Sequence, residues 1–219
     1  RSLVLMMTAV RSLPIKPVHP QVAGLAPSSS AGHSPLATLD TPLVRRACRG
    51  DAAAFRSIFE RHALSVRRFL RDLLGDDTAA DEATQETFVR AHGRLGGLRE
   101  SEKLLPWLFG IARNVCFEQL RARRNQKLRE DGEADEQADE APSPELALLG
   151  QEADSKLAEA LAILTETRRT ALLLRIDHGL PYEDIAEIMD WPLAKVKNEI
   201  HRARLQLRAH LTCYVGGTP

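Results

Sequence analysis

From Asp40 to Leu211 the apolar residues recur at steps of three and four, and no apolar–polar alternation lasts more than a few positions. At 3.6 residues per turn such steps bring i, i+3, i+4 and i+7 onto one helix face, so the pattern predicts an all-α fold. One stretch breaks it. Glu130, Asp131, Glu133, Asp135, Glu136, Asp139 and Glu140 precede Pro142 and Pro144 with no basic residue among them. A run of like charge repels itself and buries no apolar surface, which marks a flexible acidic linker between two small helical domains.

Local signals divide the first domain. Asp51 is placed to cap a helix whose stripe is Phe55, Ile58, Phe59, Val66, Phe69, Leu70 and Leu73, and Gly75 ends it. Thr78 with Asp81 forms a capping-box-like start for a helix that buries Ala83, Phe88 and Ala91 and reaches Leu95. After a Gly96-Gly97 loop, Pro106 falls where a first helical turn tolerates it. Leu104, Leu105, Leu108, Ile111, Ala112, Val115, Cys116 and Leu120 then repeat at helical spacing, and the helix runs out into Arg121, Arg123, Arg124, Lys127 and Arg129. In the second domain Leu157, Leu161 and Leu164 form one amphipathic segment. Ala171, Leu172, Leu174 and Ile176 form another, ending at Gly179.

The end of the chain is the most specific. Ile185, Ile188 and Met189 share a face of a short helix opened by Pro181, and Asp190-Trp191-Pro192 breaks it. A second helix starts near Leu193 with Val196, Ile200, Ala203, Leu207 and Leu211 as its buried stripe. Lys195, Lys197, Asn198, His201, Arg202, Arg204 and Arg208 occupy its other faces against a single acid, Glu199. An ordinary solvated face carries mixed signs. A nearly all-positive helix after a tight turn reads instead as the second helix of a helix-turn-helix, presented to the DNA major groove.

Composition bounds the rest. The 219 residues are 43% apolar and 27% charged, with 30 bases against 30 acids, so charge distribution rather than net charge points to nucleic acid. No apolar run approaches the roughly 20 residues of a membrane span, so no membrane insertion is expected. Cys48, Cys116 and Cys213 stand far apart in helical patterns, which favours buried thiols in a reducing cytoplasm over a disulfide framework or a metal site. Residues 1–39, with five prolines and Ser28-Ser29-Ser30, read as a disordered extension in which Met6 or Met7 is a candidate start. No phosphate-cradling Gly-Lys loop, nucleophile elbow or paired-histidine motif recommends an enzyme, a catalytic residue or a cofactor.

Three segments carry a resemblance. D-D-T-A-A-D-E-A-T-Q-E-T-F-V-R-A (Asp76 to Ala91) resembles the core-binding motif of extracytoplasmic-function sigma factors of the sigma-70 family. P-W-L-F-G-I-A-R-N-V-C-F-E-Q-L-R-A-R-R (Pro106 to Arg124) resembles their block that recognises and helps melt the −10 promoter element. Leu172 to Arg204 is similar to the block that reads the −35 element.

The resemblance implies an alternative sigma factor that binds core RNA polymerase, at its beta-prime clamp and beta flap, and promoter DNA. It implies catalysis by the polymerase and control by an anti-sigma factor. Its expected divisions are an extension (1–39), a region 2-like domain (40–126), the linker (127–150), a region 4-like domain (151–213) and a tail (214–219). It assigns core binding to Asp81, Glu82, Gln85, Glu86 and Phe88. The −10 contacts fall to Trp107, Arg113, Asn114, Arg121, Arg123 and Arg124, with Trp107 at an apolar position that favours core packing over base stacking. The −35 contacts fall to Lys195, Lys197, Asn198, Glu199, His201, Arg202 and Arg204. Glu199 and Asn198 stand where many relatives carry Arg or Ser and Lys195 where Thr is common, and Glu199 is suited either to accept from cytosine N4 or to flank the groove. The alternative class is a free-standing helix-turn-helix regulator, which accounts for Leu180 to Arg204 but not for Asp76 to Ala91.

Overall fold

The computed structural model describes the backbone of residues 35–131 and 159–215, with side chains described for 40–126 and 159–210. The expectations for residues 1–34, for the acidic stretch from 132 onward and for the side chains of Leu157, Leu211 and Cys213 lie outside the described residues.

Among the described residues seven helices carry the fold: α1 (Pro35–Ala47), α2 (Ala52–Leu74), α3 (Asp77–Arg94), α4 (Leu104–Asp131), α5 (Glu166–Ile176), α6 (Tyr182–Met189) and α7 (Leu193–Val215). Short 3₁₀ turns at Leu95–Gly97 and Ser101–Lys103 join α3 to α4, and residues 159–162 form a helical turn before α5. Helix α1 starts five residues inside the segment expected to be a disordered extension. Its packing on α2 explains why: Val44 is buried and Asp40 accepts from Arg61 and pairs with His62 on α2, contacts no local pattern announces.

Caps decide the helix ends. Asp51 accepts from the backbone N–H of Ala53 and Ala54, and Gly75 closes α2 at φ 67, a left-handed conformation glycine reaches without Cβ strain. The next cap is two residues earlier than the sequence suggested. Asp76, not Thr78, caps α3, accepting from Thr78 and Ala79 at 2.8 and 3.2 Å. An extended Asp76 backbone aims its carboxylate at these free N–H groups, which puts Thr78 inside the helix.

Helix α3 packs on α2 and α4 through Ala79, Ala80, Ala83 and Ala91. These small residues allow close approach, and the buried Thr84 and Thr87 hydroxyls donate back to Ala80 and Ala83 carbonyls. In the second unit, α5 and α6 pack on α7 through Leu172, Leu174, Ile185, Met189, Val196 and Ile200. Arg169 is buried there as well. Its guanidinium donates to the Leu161 and Leu164 carbonyls at 3.0 and 3.2 Å, tying the preceding turn to α5 and satisfying a charge that is costly to bury alone.

The two units meet, and their apolar residues form one continuous core. Helix α4 packs against α6 and α2 against α5. At the seam the Phe69 and Phe109 rings stand edge to face 5.1 Å apart, and the His178 ring lies 4.5 Å from Phe109. Ion pairs rim the contact: Arg68–Asp177 at 3.0 Å, Lys103–Glu187 at 2.7 Å and Arg124–Glu166 at 3.3 Å. The thiols divide. Cys116 is buried in the core, whereas Cys48 is exposed, because α1 stops at Ala47 and the chain turns away.

Candidate nucleic-acid interface

Helix α7 is presented by the turn before it. Pro181, with an extended backbone, starts α6; Asp190 at φ 53 stops it, with its N–H and that of Trp191 reaching back to the end of α6. Helix α7 then leaves in a new direction. Val196, Ile200, Ala203 and Leu207 face inward, and Lys195, Lys197, Asn198, His201 and Arg202 are exposed. The Lys195 ammonium lies over the Trp191 ring at 4.3 Å, which holds the side chain at the start of the helix. Arg204 is half-buried, with its Nε enclosed and without a hydrogen-bond partner.

Glu199 sits differently from the cations around it. Its Oε2 accepts from Arg168 Nε on α5 at 2.5 Å and its Oε1 from Arg202 Nη1 at 3.1 Å. The Arg168 hydrogen bond, ahead of opposing burial, holds its carboxyl below the usual range.

Helix α4 carries the second basic site. Asn114 is exposed mid-helix, and its Oδ1 accepts from Arg113 Nη1 at 3.3 Å. Arg113 is half-buried over the Phe117 ring at 4.8 Å. Burial presses its pKa down while the Asp190 carboxylate of the helix-turn-helix opposes this, so the second unit's turn lies against this helix. Arg121, Arg123 and Arg124 are exposed about two turns further on, with Arg123 3.8 Å from Asp76 and Arg124 beside Glu166. Trp107 is half-buried against the core.

The third set of residues borders a groove. Between α2 and α3 lies an open depression of about 900 Å³ lined by Phe55, Phe59, Leu64, Gln85, Phe88 and Val89, with Arg67 and Asp81 at its edge. Phe88 is buried in its floor, edge to face with Phe59 at 4.8 Å. Sequence periodicity puts Phe59 in the buried stripe of α2; it is 41% exposed, and Leu64 is 77% exposed. The α2 wall of this groove is what sequence reasoning missed. The available signal was Leu64, an apolar residue off the stripe.

Asp81 accepts twice from Arg67 at 2.5 and 3.3 Å, which draws its carboxyl below the usual range. Glu82 is exposed, and Glu86 pairs with Arg90, which also reaches Glu118. Asp81, Gln85 and Phe88 therefore border one groove, while Glu82 and Glu86 are outside its lining. Among the described residues no cluster of His, Cys, Asp and Glu is arranged to hold a metal, and no helix is long and apolar enough to cross a membrane.

A helix-turn-helix unit packed on a bundle with its own basic helix defines a two-unit class of helical DNA-binding proteins. Residues 58–126 match the family model for Sigma-70 region 2, and residues 154–207 that for Sigma-70, region 4. The RNA polymerase sigma-H factor of Pseudomonas aeruginosa is 34% identical over 173 residues, covering 75% of this chain and 90% of that protein. The ECF RNA polymerase sigma-E factor of Haemophilus influenzae is 31% identical, covering 75% and 91%. Among solved structures, the sigma factor RpoE in complex with the anti-sigma factor NepR from Bartonella quintana superposes at a TM-score of 0.60. The identity is 27%, covering 72% of this chain and 96% of that one. CnrH in complex with the cytosolic domain of CnrY gives 0.61 at 25% identity, covering 80% and 97%. The chain belongs to the sigma-70 family of RNA polymerase sigma factors, in its extracytoplasmic-function branch.

Proposed function

We propose that this sigma factor docks on core RNA polymerase through the α2–α3 groove, reads and opens the −10 element with α4, and reads the −35 element with α7. Polymerase supplies the catalysis, in the cytoplasm, and an anti-sigma factor holds the protein in check until a stress or signal releases it. The division of labour follows the boundaries read from the sequence, 40–126 for core and −10 and 151–213 for −35.

The observation that carries this reading is the groove. An apolar depression with Phe59 and Leu64 exposed is a surface that awaits a protein partner, and a regulator acting alone on DNA has no use for it. The polar rim of Asp81 and Gln85 suits a basic partner, with Glu82 and Glu86 adding charge nearby. Arg121, Arg123 and Arg124 in the second half of α4 serve phosphates, which position without specifying, and Asn114 offers an amide that pairs with a base edge.

The two elements also set a distance. Their centres are about 25 base pairs apart by their own positions, roughly 85 Å at about 3.4 Å per pair. A packed body of this length is roughly 45 Å across. Engaging both elements therefore separates the two units.

Asp81→Lys with Glu86→Lys, checked for retained helicity, tests the reading by co-purification with core and by transcription from a two-element promoter. The expected result is loss of both, with isolated duplex binding by α7 little changed. Fluorescent labels on α3 and α7 of the wild type should move apart when core and promoter are added. Undiminished co-purification of the double variant would remove the docking assignment, and promoter binding with no affinity for core would favour a free-standing regulator.

A further inference from the structure

Resting on the reading of α7 as the −35 helix, we infer that Arg168 and Glu199 form a positioning clamp that aims Arg202 at a base, and that Glu199 itself reads no base. Glu199 is the only acid on the basic face of α7 between Lys195 and Arg204. Its side chain is 15% exposed, against 62% for Arg202. Both carboxylate oxygens are engaged within the protein, one by Arg168 and one by Arg202.

A carboxylate that reads cytosine needs a free oxygen directed into the groove, and breaking the Arg168 contact to supply one would strand that guanidinium. The partners are better explained from the other side. Arg168 is itself held, since its Nη1 donates to Gln206 on α7 at 3.3 Å and its backbone N–H to the Thr165 hydroxyl at 3.4 Å. It thereby fixes Glu199 from a different helix. Glu199 in turn takes one N–H of Arg202 through Nη1, three residues on, which limits the swing of a long and otherwise exposed side chain. The Nε–Nη2 edge of Arg202 has no partner in this clamp, and that edge has the two parallel donors that match guanine O6 and N7. Holding an arginine in its bound conformation lowers the entropy lost on binding, so the clamp converts a flexible cation into a specific reader.

The clamp makes a prediction that neither a base-reading glutamate nor a purely structural one makes. Full-length protein with bacterial core polymerase is assayed on a promoter library randomised across the −35 element, using wild type, Glu199→Ala, Glu199→Gln, Arg168→Ala, Arg168→Lys, Arg202→Ala and the Glu199→Ala/Arg202→Ala double variant. Thermal melting of each accompanies the selection. Arg202→Ala should erase discrimination at one base pair, about tenfold or more. Glu199→Ala and Arg168→Ala should weaken discrimination at that same pair by about three- to tenfold and leave the others alone, and the double variant should match Arg202→Ala. Glu199→Gln and Arg168→Lys, which keep part of the geometry, should retain intermediate discrimination and carry the test if an alanine variant fails to fold.

The inference is overturned if Glu199→Ala changes a base pair that Arg202→Ala does not, which would make Glu199 a reader. It is equally overturned if the Arg168 and Glu199 variants only lower transcription evenly over all sequences. A wild type that selects no −35 sequence would remove the assignment of α7 itself, and this inference with it.

Discussion

Asn114 is a mediocre helix former in the middle of α4, exposed, with its amide oxygen accepting from Arg113. Extruding a promoter base costs a few kcal/mol, and each 1.4 kcal/mol of lost grip shifts a balanced opening equilibrium about tenfold. Asn114→Ala is therefore expected to reduce transcription from a duplex promoter about tenfold, with partial rescue on a template whose −10 bubble is already open and with core binding unchanged. Equal loss on both templates would show that the amide contacts duplex DNA or supports the helix. The exposed position of Asn114 in α4 stands out in the sequence, where a polar residue interrupts an apolar run. The pairing of Glu199 does not, since it depends on Arg168, 31 residues away.

Among the elements, the α6–α7 turn governs how α7 is presented. Asp190 is the sole non-glycine residue at positive φ among the described residues, and a left-handed conformation is tolerated by Asp far better than by a β-branched residue. Asp190→Val should destabilise the protein by about 1–2 kcal/mol and loosen the angle between α6 and α7, whereas Asp190→Gly should leave the turn intact. Urea unfolding with −35 duplex binding reads both effects; equal stability of the valine and glycine variants would show that the turn is held by packing alone. This turn was readable in Asp190-Trp191-Pro192. The start of α1 was not, because Pro35 to Leu39 lacks a periodic stripe and its helix continues into residues held by α2. Nor was the exposure of Phe59, since a helical stripe predicts which face is apolar but not how far a neighbouring helix covers it.

In the whole molecule, the seam between the units contains a buried titratable ring, that of His178, 3.5 Å from the Asp177 carboxylate. His178 is enclosed by Phe69 and Phe109, and its Nε2 has no hydrogen-bond partner. Burial pushes its pKa from 6.5 down to about 4; the Asp177 carboxylate opposes this and Arg68 adds to it. The packed form thus binds fewer protons than the separated one between those values. Stability at the seam is full above pH 6.5 and is lost as pH falls toward 4. Asp72 beside it has its carboxyl raised by burial, with Arg71 lowering it and Asp177 adding to the rise, so its protonation works the other way at low pH. Urea midpoints should fall between pH 7 and 5 for the wild type and change little for His178→Phe, which keeps the aromatic packing. The same fall in both proteins would place the acid sensitivity elsewhere.

Periodicity, caps and charge runs act over a few residues, so the linear order alone determined the all-α class, the helix-turn-helix, the basic runs on α4 and α7 and the family resemblance. Only the folded chain decided which side chains meet across long separations. Lys103 finds Glu187, 84 residues away, Arg168 finds Glu199, and the two units share one core. Those pairings depend on how packed helices orient, a property of shape and mutual burial that no local spacing encodes.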